Sequence, residues 1–218
     1  MKQKLIAETL GTAFLLIGVI GSGIMGETLS EGNTAIALLA NAIATGCILY
    51  GIITCLGPVS GAHFNPAVTL FFALRCEHAW SAFLPYVIAQ VVGALLGVWA
   101  AHVMFDMPIL QVSDTMHRTG FAQWSSEIIA TFGLLFVIVG GVVHKPDRVP
   151  PLVGLYITGA YWFTSSTSFA NPAVTFARGW SDTFAGIAPQ HIGMFVVMQL
   201  IGVGVAYLVL PLVFSKAD

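Results

Sequence analysis

The tripeptide Asn-Pro-Ala occurs twice, at Asn65-Pro66-Ala67 and Asn171-Pro172-Ala173, each time at the head of an apolar run too short to cross a bilayer. Asn is a strong helix N-cap, and Pro suits the first helical position, where its missing N–H costs nothing. The runs extend from Pro66 to Cys76 and from Pro172 to Ser181, so at 1.5 Å per residue each predicts a helix roughly 15 Å long. Turn-rich stretches precede both: Gly57-Pro58-Val59-Ser60-Gly61-Ala62-His63-Phe64 before the first, and Ser165-Ser166-Thr167-Ser168-Phe169-Ala170 before the second. Two such helices placed end to end make one membrane span.

The rest of the chain is built for lipid. Of 218 residues, 57% are hydrophobic and 8% charged, with a mean hydropathy of +0.88, well outside the range of soluble domains. Six spanning stretches are predicted, at 5–25, 34–56, 81–104, 122–143, 151–167 and 191–214, against a requirement of about 20 residues for a ~30 Å hydrocarbon core. Met1-Lys2-Gln3-Lys4 could open a signal peptide, but the apolar run behind it is too long and no small-residue cleavage site follows, so it reads as the first helix. Eight Lys and Arg against ten Asp and Glu give a formal charge of -2 and no basic surface for nucleic acid. Cys47, Cys55 and Cys76 have no paired spacing and read as small packing residues rather than a disulfide or metal framework. No cofactor or metal is expected.

Irregular backbone at membrane depth is tolerated where protein buries it or where it lines a watery cavity. Two half-helices entering from opposite faces and meeting at the midplane therefore imply an internal pore. The same landmarks recur in order along the chain: Glu8 and Glu127, Asn65 and Asn171, Gln90 and Gln199. This is the mark of an internal duplication, repeat one at about 1–105 and repeat two at about 120–218 of a single transmembrane domain covering 1–218. Three full spans per repeat is an odd number, so the repeats have inverted topology. With both termini in the cytoplasm, Lys2, Lys4, Arg75, Lys145, Arg148 and Lys216 lie inside and Arg118 and Arg178 outside, the orientation that basic residues favour.

The segment Ser60-Gly61-Ala62-His63-Phe64-Asn65-Pro66-Ala67-Val68-Thr69, with the second Asn-Pro-Ala, the two glutamates and the two glutamines, resembles the aquaporins and aquaglyceroporins, the major intrinsic protein family. The resemblance implies an all-α membrane protein of six transmembrane helices and two re-entrant half-helices, assembled as a homotetramer in the lipid bilayer with one pore per subunit. In that family a second constriction is set by four positions, one of them an Arg directly after the second Asn-Pro-Ala. Counting from the asparagines, the matching positions here are Thr45, Gly159, Ser168 and Val174, a small, uncharged set that implies a wide filter. The wording Ser168-Phe169-Ala170-Asn171-Pro172-Ala173-Val174-Thr175 is similar to a bacterial subgroup associated with arsenic resistance, whose filters also lack the Arg, which implies the bacterial inner membrane and neutral trivalent or methylated arsenicals beside glycerol-like polyols and water. An ordinary water or glycerol facilitator is the alternative.

Residue chemistry is consistent with passage of neutral solutes. Each Asn carbonyl can cap its helix while the NH₂ donates into the lumen, and two helix N-termini at the midplane oppose cations. The resemblance implies that Glu8 and Glu127 hold the re-entrant loops, with a proton relay as the rival reading. His63 is expected at the pore edge, Gln90 and Gln199 across helix pairs, and Gly18, Gly21, Gly93, Gly97, Gly202 and Gly204 at close helix approaches. Arg178 reads as an interfacial anchor, with a vestibule role as the alternative. No catalytic set is expected, since the spans hold no nucleophile-base constellation or zinc motif. A coupled transporter would need charged sites at the midplane, for which only the two glutamates are available.

Overall fold

Helix starts follow the capping signals closely. The computed structural model, which describes residues 1–214, contains α1 (Lys2–Leu29), α2 (Thr34–Ser60), α3 (Pro66–Leu74), α4 (Trp80–Met104), α5 (Phe121–His144), α6 (Val149–Phe163), α7 (Pro172–Arg178) and α8 (Pro189–Val213), with a 3-10 turn at Pro146–Arg148 ahead of α6. Lys216, one of the basic residues used to orient the chain, lies outside the described residues. The caps of α2, α3 and α7 are asparagines: Asn33, Asn65 and Asn171 each accept from amides of the first turn, satisfying donors that a helix start leaves orphaned.

Several boundaries differ from the sequence expectation. α2 continues through Pro58 to Ser60, and the turn begins at Gly61, which sits at φ 90°. Pro58 lies in the last helical turn, where the one hydrogen bond it removes is a small loss. Both half-helices are shorter than expected. α3 stops at Leu74 as Cys76 adopts a left-handed φ of 59°, and α7 stops at Arg178, where Gly179 and Trp180 close the end with tight bonds to the Phe176 and Ala177 carbonyls. α6 has 15 residues, and it ends at Phe163 because extended Thr164 leads the chain inward. The other five long helices are each long and apolar enough to cross a membrane.

The packing repeats across the two halves. α1 lies against α2 and α4 as α5 lies against α6 and α8; α3 touches α4 and α8, α7 touches α8 and α4, and α2 meets α6. The short helices also touch each other. Each thus wedges between the last helices of both halves, the inverted repeat of the expected fold. Gly93 and Gly97 of α4 set the approach to α1, for an added methyl would collide with the Thr9 and Ala13 carbonyl oxygens. Gly204, expected at such a contact, faces open space.

The molecule is apolar on its outside as well as its inside. Ile6, Leu10 and Phe14 of α1 and Leu84, Ile88 and Val92 of α4 are exposed, at the i, i+4 spacing of a lipid-facing stripe. The three cysteines are also exposed and free, not buried packing residues as the sequence implied. Buried polar groups, by contrast, gather around the two re-entrant loops.

Candidate functional site

Each re-entrant loop is fastened by one carboxylate. Glu8 Oε1 accepts from Ser60 Oγ at 2.6 Å and His63 N at 3.0 Å, while Oε2 accepts from Phe64 N and Gln90 Nε2, both at 2.7 Å. Glu127 repeats the pattern: Oε1 takes Ser166 Oγ at 2.6 Å and Phe169 N at 2.9 Å, and Oε2 takes Ala170 N at 2.9 Å and Gln199 Nε2 at 2.6 Å. Both carboxyls are fully buried, and four donors apiece satisfy what would otherwise be an expensive group in this setting. The loops present adjacent amides because alternate residues are left-handed: Ala62 at φ 49° and Phe64 at 48°, Ser168 at 51° and Ala170 at 47°. Such alternation turns successive N–H groups toward one anion. Gln90 and Gln199 extend the brace to the half-helices, donating also to Thr69 and Thr175, whose hydroxyls bond back to the Asn65 and Asn171 carbonyls.

The two Asn-Pro-Ala segments meet reciprocally. Asn65 Oδ1 accepts from Ala67 N at 2.8 Å, and its Nδ2 crosses to the Ala170 carbonyl at 2.7 Å. Asn171 Oδ1 accepts from Ala173 N at 3.0 Å and Val174 N at 3.2 Å, and its Nδ2 crosses to the Phe64 carbonyl at 2.8 Å. One hydrogen of each NH₂ therefore ties the loops together, and the other has no protein acceptor among the described residues. Pro66, Pro172, Ala67 and Ala173 hold the first turns behind them.

Both asparagines line a cavity of about 330 Å³. From Glu77, Phe72 and His63 at one end it passes the asparagines and reaches Thr45, Tyr161, Ser168, Val174 and Arg178 at the other. Apolar side chains of four long helices, among them Leu15, Val19, Leu49, Leu134, Val153 and Ile157, form the walls between. A mostly apolar tube with a few polar groups at fixed points offers little resistance to a small solute while orienting it. His63 stacks on Phe72 with ring centroids 5.3 Å apart, and its Nδ1 lies 3.1 Å from Thr69 Oγ1.

Of the four residues expected at the second constriction, Thr45, Ser168 and Val174 line the cavity and Gly159 does not. Gly159 is exposed on the far side of α6, two residues from Ile157 and from Tyr161, which face inward. At 100° per residue that offset reverses direction. From this stretch of α6 it is Tyr161 that lines the cavity, its hydroxyl 3.2 Å from Thr45 Oγ1. Counting back from Asn171 failed because the loop between α6 and α7 is not helical; the i, i+4 series Val153, Ile157, Tyr161 was the signal that could have found it.

Arg178 is the larger departure. Expected as an anchor at the membrane surface, it is fully buried, and its guanidinium lies 3.4 Å above the centroid of the Phe169 ring. Its Nε donates to the Ala185 carbonyl. The expected uncharged filter thus gains a cation one helical turn beyond Val174. Two loops make the burial possible. Residues 105–120 and 179–188 are joined by Ser113 N to Gly179 O at 2.9 Å, Ala188 N to Met116 O at 2.9 Å, and three donors of Asp114 and Thr115 on Asp182 Oδ1. The Thr115 amide and hydroxyl hold the Asp182 carboxyl below its ordinary value. Arg118, in the first of these loops, is lowered to about 10 by burial and stays protonated at neutral pH.

Residues 1–165 match the family model described as major intrinsic protein. The chain is 52% identical over 202 residues to a protein named aquaglyceroporin AqpS from Rhizobium meliloti, covering 93% of this chain and 86% of that one. It is 30% identical over 206 residues to putative aquaporin NIP4-1 of Arabidopsis thaliana, covering 93% and 71%. Against aquaporin NIP1-1 of Zea mays it is 38% identical over 157 residues, 71% of this chain and 54% of that protein, so here the chain spans about half the length of its relative. Among solved structures, the aquaglyceroporin from Plasmodium falciparum shares the fold, with a TM-score of 0.76 over 99% of both chains at 18% identity.

Proposed function

The chain belongs to the major intrinsic protein family, whose members are passive membrane channels and not enzymes, and from that premise we propose that its cargo is small neutral solutes drawn past Asn65 and Asn171. Glycerol-like polyols and water come first. Neutral trivalent arsenicals, which also present hydroxyl groups without charge, belong to the same reading through the Val174 wording of the second motif, and methylated ones through their small size. The observation that carries the proposal is the reciprocal pair of asparagines on one cavity, each with a hydrogen left for a passing oxygen. A solute that sheds water needs such donors in its place, and two at one level replace part of a hydration shell. The half-helix starts add their positive ends at the same depth, which disfavours cations. On the family resemblance we place the protein in the bacterial cell membrane as a homotetramer with both termini cytoplasmic, its assembly checked by native mass in detergent.

Replacing Asn65 or Asn171 by Leu tests the reading. Each change removes a lumen donor, a cap and the bond to Ala170 or Phe64, so glycerol flux per assembled protomer in proteoliposomes is expected to fall by roughly tenfold, in line with the cost of leaving a buried carbonyl unpaired. Flux per assembled protomer equal to that of the unchanged chain would place the solute path elsewhere.

A further inference from the structure

The Arg178 guanidinium lines the cavity at the end away from His63 and Glu77, a second guanidinium, that of Arg118, packs beside it on the same ring, and among the described residues neither forms an ion pair with a carboxylate. Arg178 is 2% exposed and Arg118 9%. Both pack on one ring, Phe169, at 3.4 Å and 5.1 Å from its centroid. A buried cation without a counter-ion is costly, and a second beside it adds repulsion. A cation in the last turn of α7 complements that helix's dipole. This accounts for a charge at position 178 and not for its burial against Phe169.

The hydrogen bonds of the two arginines separate their roles. Arg118 spends all three nitrogens on backbone carbonyls, Nε on Gly186 at 2.8 Å, Nη2 on Phe184 at 3.3 Å and Nη1 on Ser166 at 3.5 Å. It ties the two covering loops to the re-entrant loop. Arg178 uses Nε, on Ala185, and among the described residues its two Nη groups have no acceptor, although the side chain forms part of the cavity wall. Val174, one turn deeper on the same face of α7, offers no donor, and the nearby Ser168 Oγ is buried without a partner among the described residues. The free end of the Arg178 fork is therefore the strongest unused donor on the solute path.

We propose that Arg178 selects the solute: its Nη1 and Nη2 donate together to two adjacent oxygens of a neutral polyhydroxylated molecule as it passes, while Phe169 and Arg118 fix the plane of the fork. A guanidinium with Nε already occupied presents two parallel donors at a spacing that two neighbouring hydroxyls match and a single carbonyl does not. The inference rests on the channel reading and narrows it, favouring solutes with two or more neighbouring hydroxyls over equally small neutral solutes with one acceptor.

Stopped-flow flux of glycerol and of urea, both slow to cross lipid unaided, is measured in the same proteoliposomes for the unchanged chain, Arg178→Met and Arg178→Lys. The ratio of glycerol to urea flux is expected to fall by roughly tenfold in Arg178→Met, the order of a hydrogen bond to a charged donor. In Arg178→Lys it falls by less, because an ammonium keeps the charge without the fork. A merely structural arginine would lower both fluxes together and leave the ratio alone, so a ratio unchanged in both variants overturns the proposal. Arg178→Lys keeps length and charge and decides the matter if Arg178→Met does not assemble. Absence of solute flux in the unchanged chain would instead overturn the channel reading itself.

Discussion

Single side chains carry the chemistry of this pore, and their roles follow from which of their donors are already occupied. Asn65 and Asn171 are half-used, Glu8 and Glu127 fully used, and Val174 has nothing to give. Val174→Arg would place a second guanidinium one turn below Arg178 on the same wall, narrowing the cavity beside Thr45 and Tyr161. Glycerol flux is expected to drop by roughly tenfold or more, the discrimination one pocket side chain supplies, and water flux by less; stopped-flow measurement with equal glycerol and water loss, or none, would show that Val174 does not border the constriction. The asparagines were legible because cap and proline announce a helix start locally. Arg178 was not, since its burial depends on Phe169, Ala185 and two loops distant in sequence, and the general tendency of arginine to reach the membrane surface pointed the other way.

Among the elements, the half-helices are stable as short pieces because their ends are tied rather than because they are long. α7 has seven residues, far below what an isolated helix needs, yet Asn171 caps it, Gln199 reaches Thr175 at 2.8 Å, and α4 and α8 enclose it. On its other side α4 packs against α1, which it approaches closely at Gly93. Gly93→Ala forces a methyl against the Thr9 carbonyl and is expected to destabilise the protein by about 1–3 kcal/mol, whereas Gly204→Ala, which meets nothing within 4 Å, stays within about 0.5 kcal/mol. Unfolding in detergent compares them, and equal effects would contradict the packing. The sequence grouped these glycines together because spacing tells that a helix face holds small residues, not which face meets a neighbour. The same blindness placed Gly159 on the pore wall, although the regular α6 series of Val153, Ile157 and Tyr161 pointed inward.

At the scale of the molecule, an apolar exterior, a fastened pair of re-entrant loops and a cavity lined by both asparagines make the framework of a channel. The order of spans and half-helices could be read from the chain because lipid forces spanning length and backbone satisfaction on every segment. The charge at the end of the cavity could not, since it arises from how the loops at 105–120 and 179–188 close over α7. Neither buried glutamate is free to carry a coupled proton, each having four donors on its two oxygens. The central claim is therefore tested most directly by glycerol flux in proteoliposomes holding no proton, sodium or potassium gradient. The account predicts flux that is fast relative to empty vesicles, linear in the glycerol difference and unchanged when an ion gradient is imposed; flux that appears only with such a gradient would contradict it.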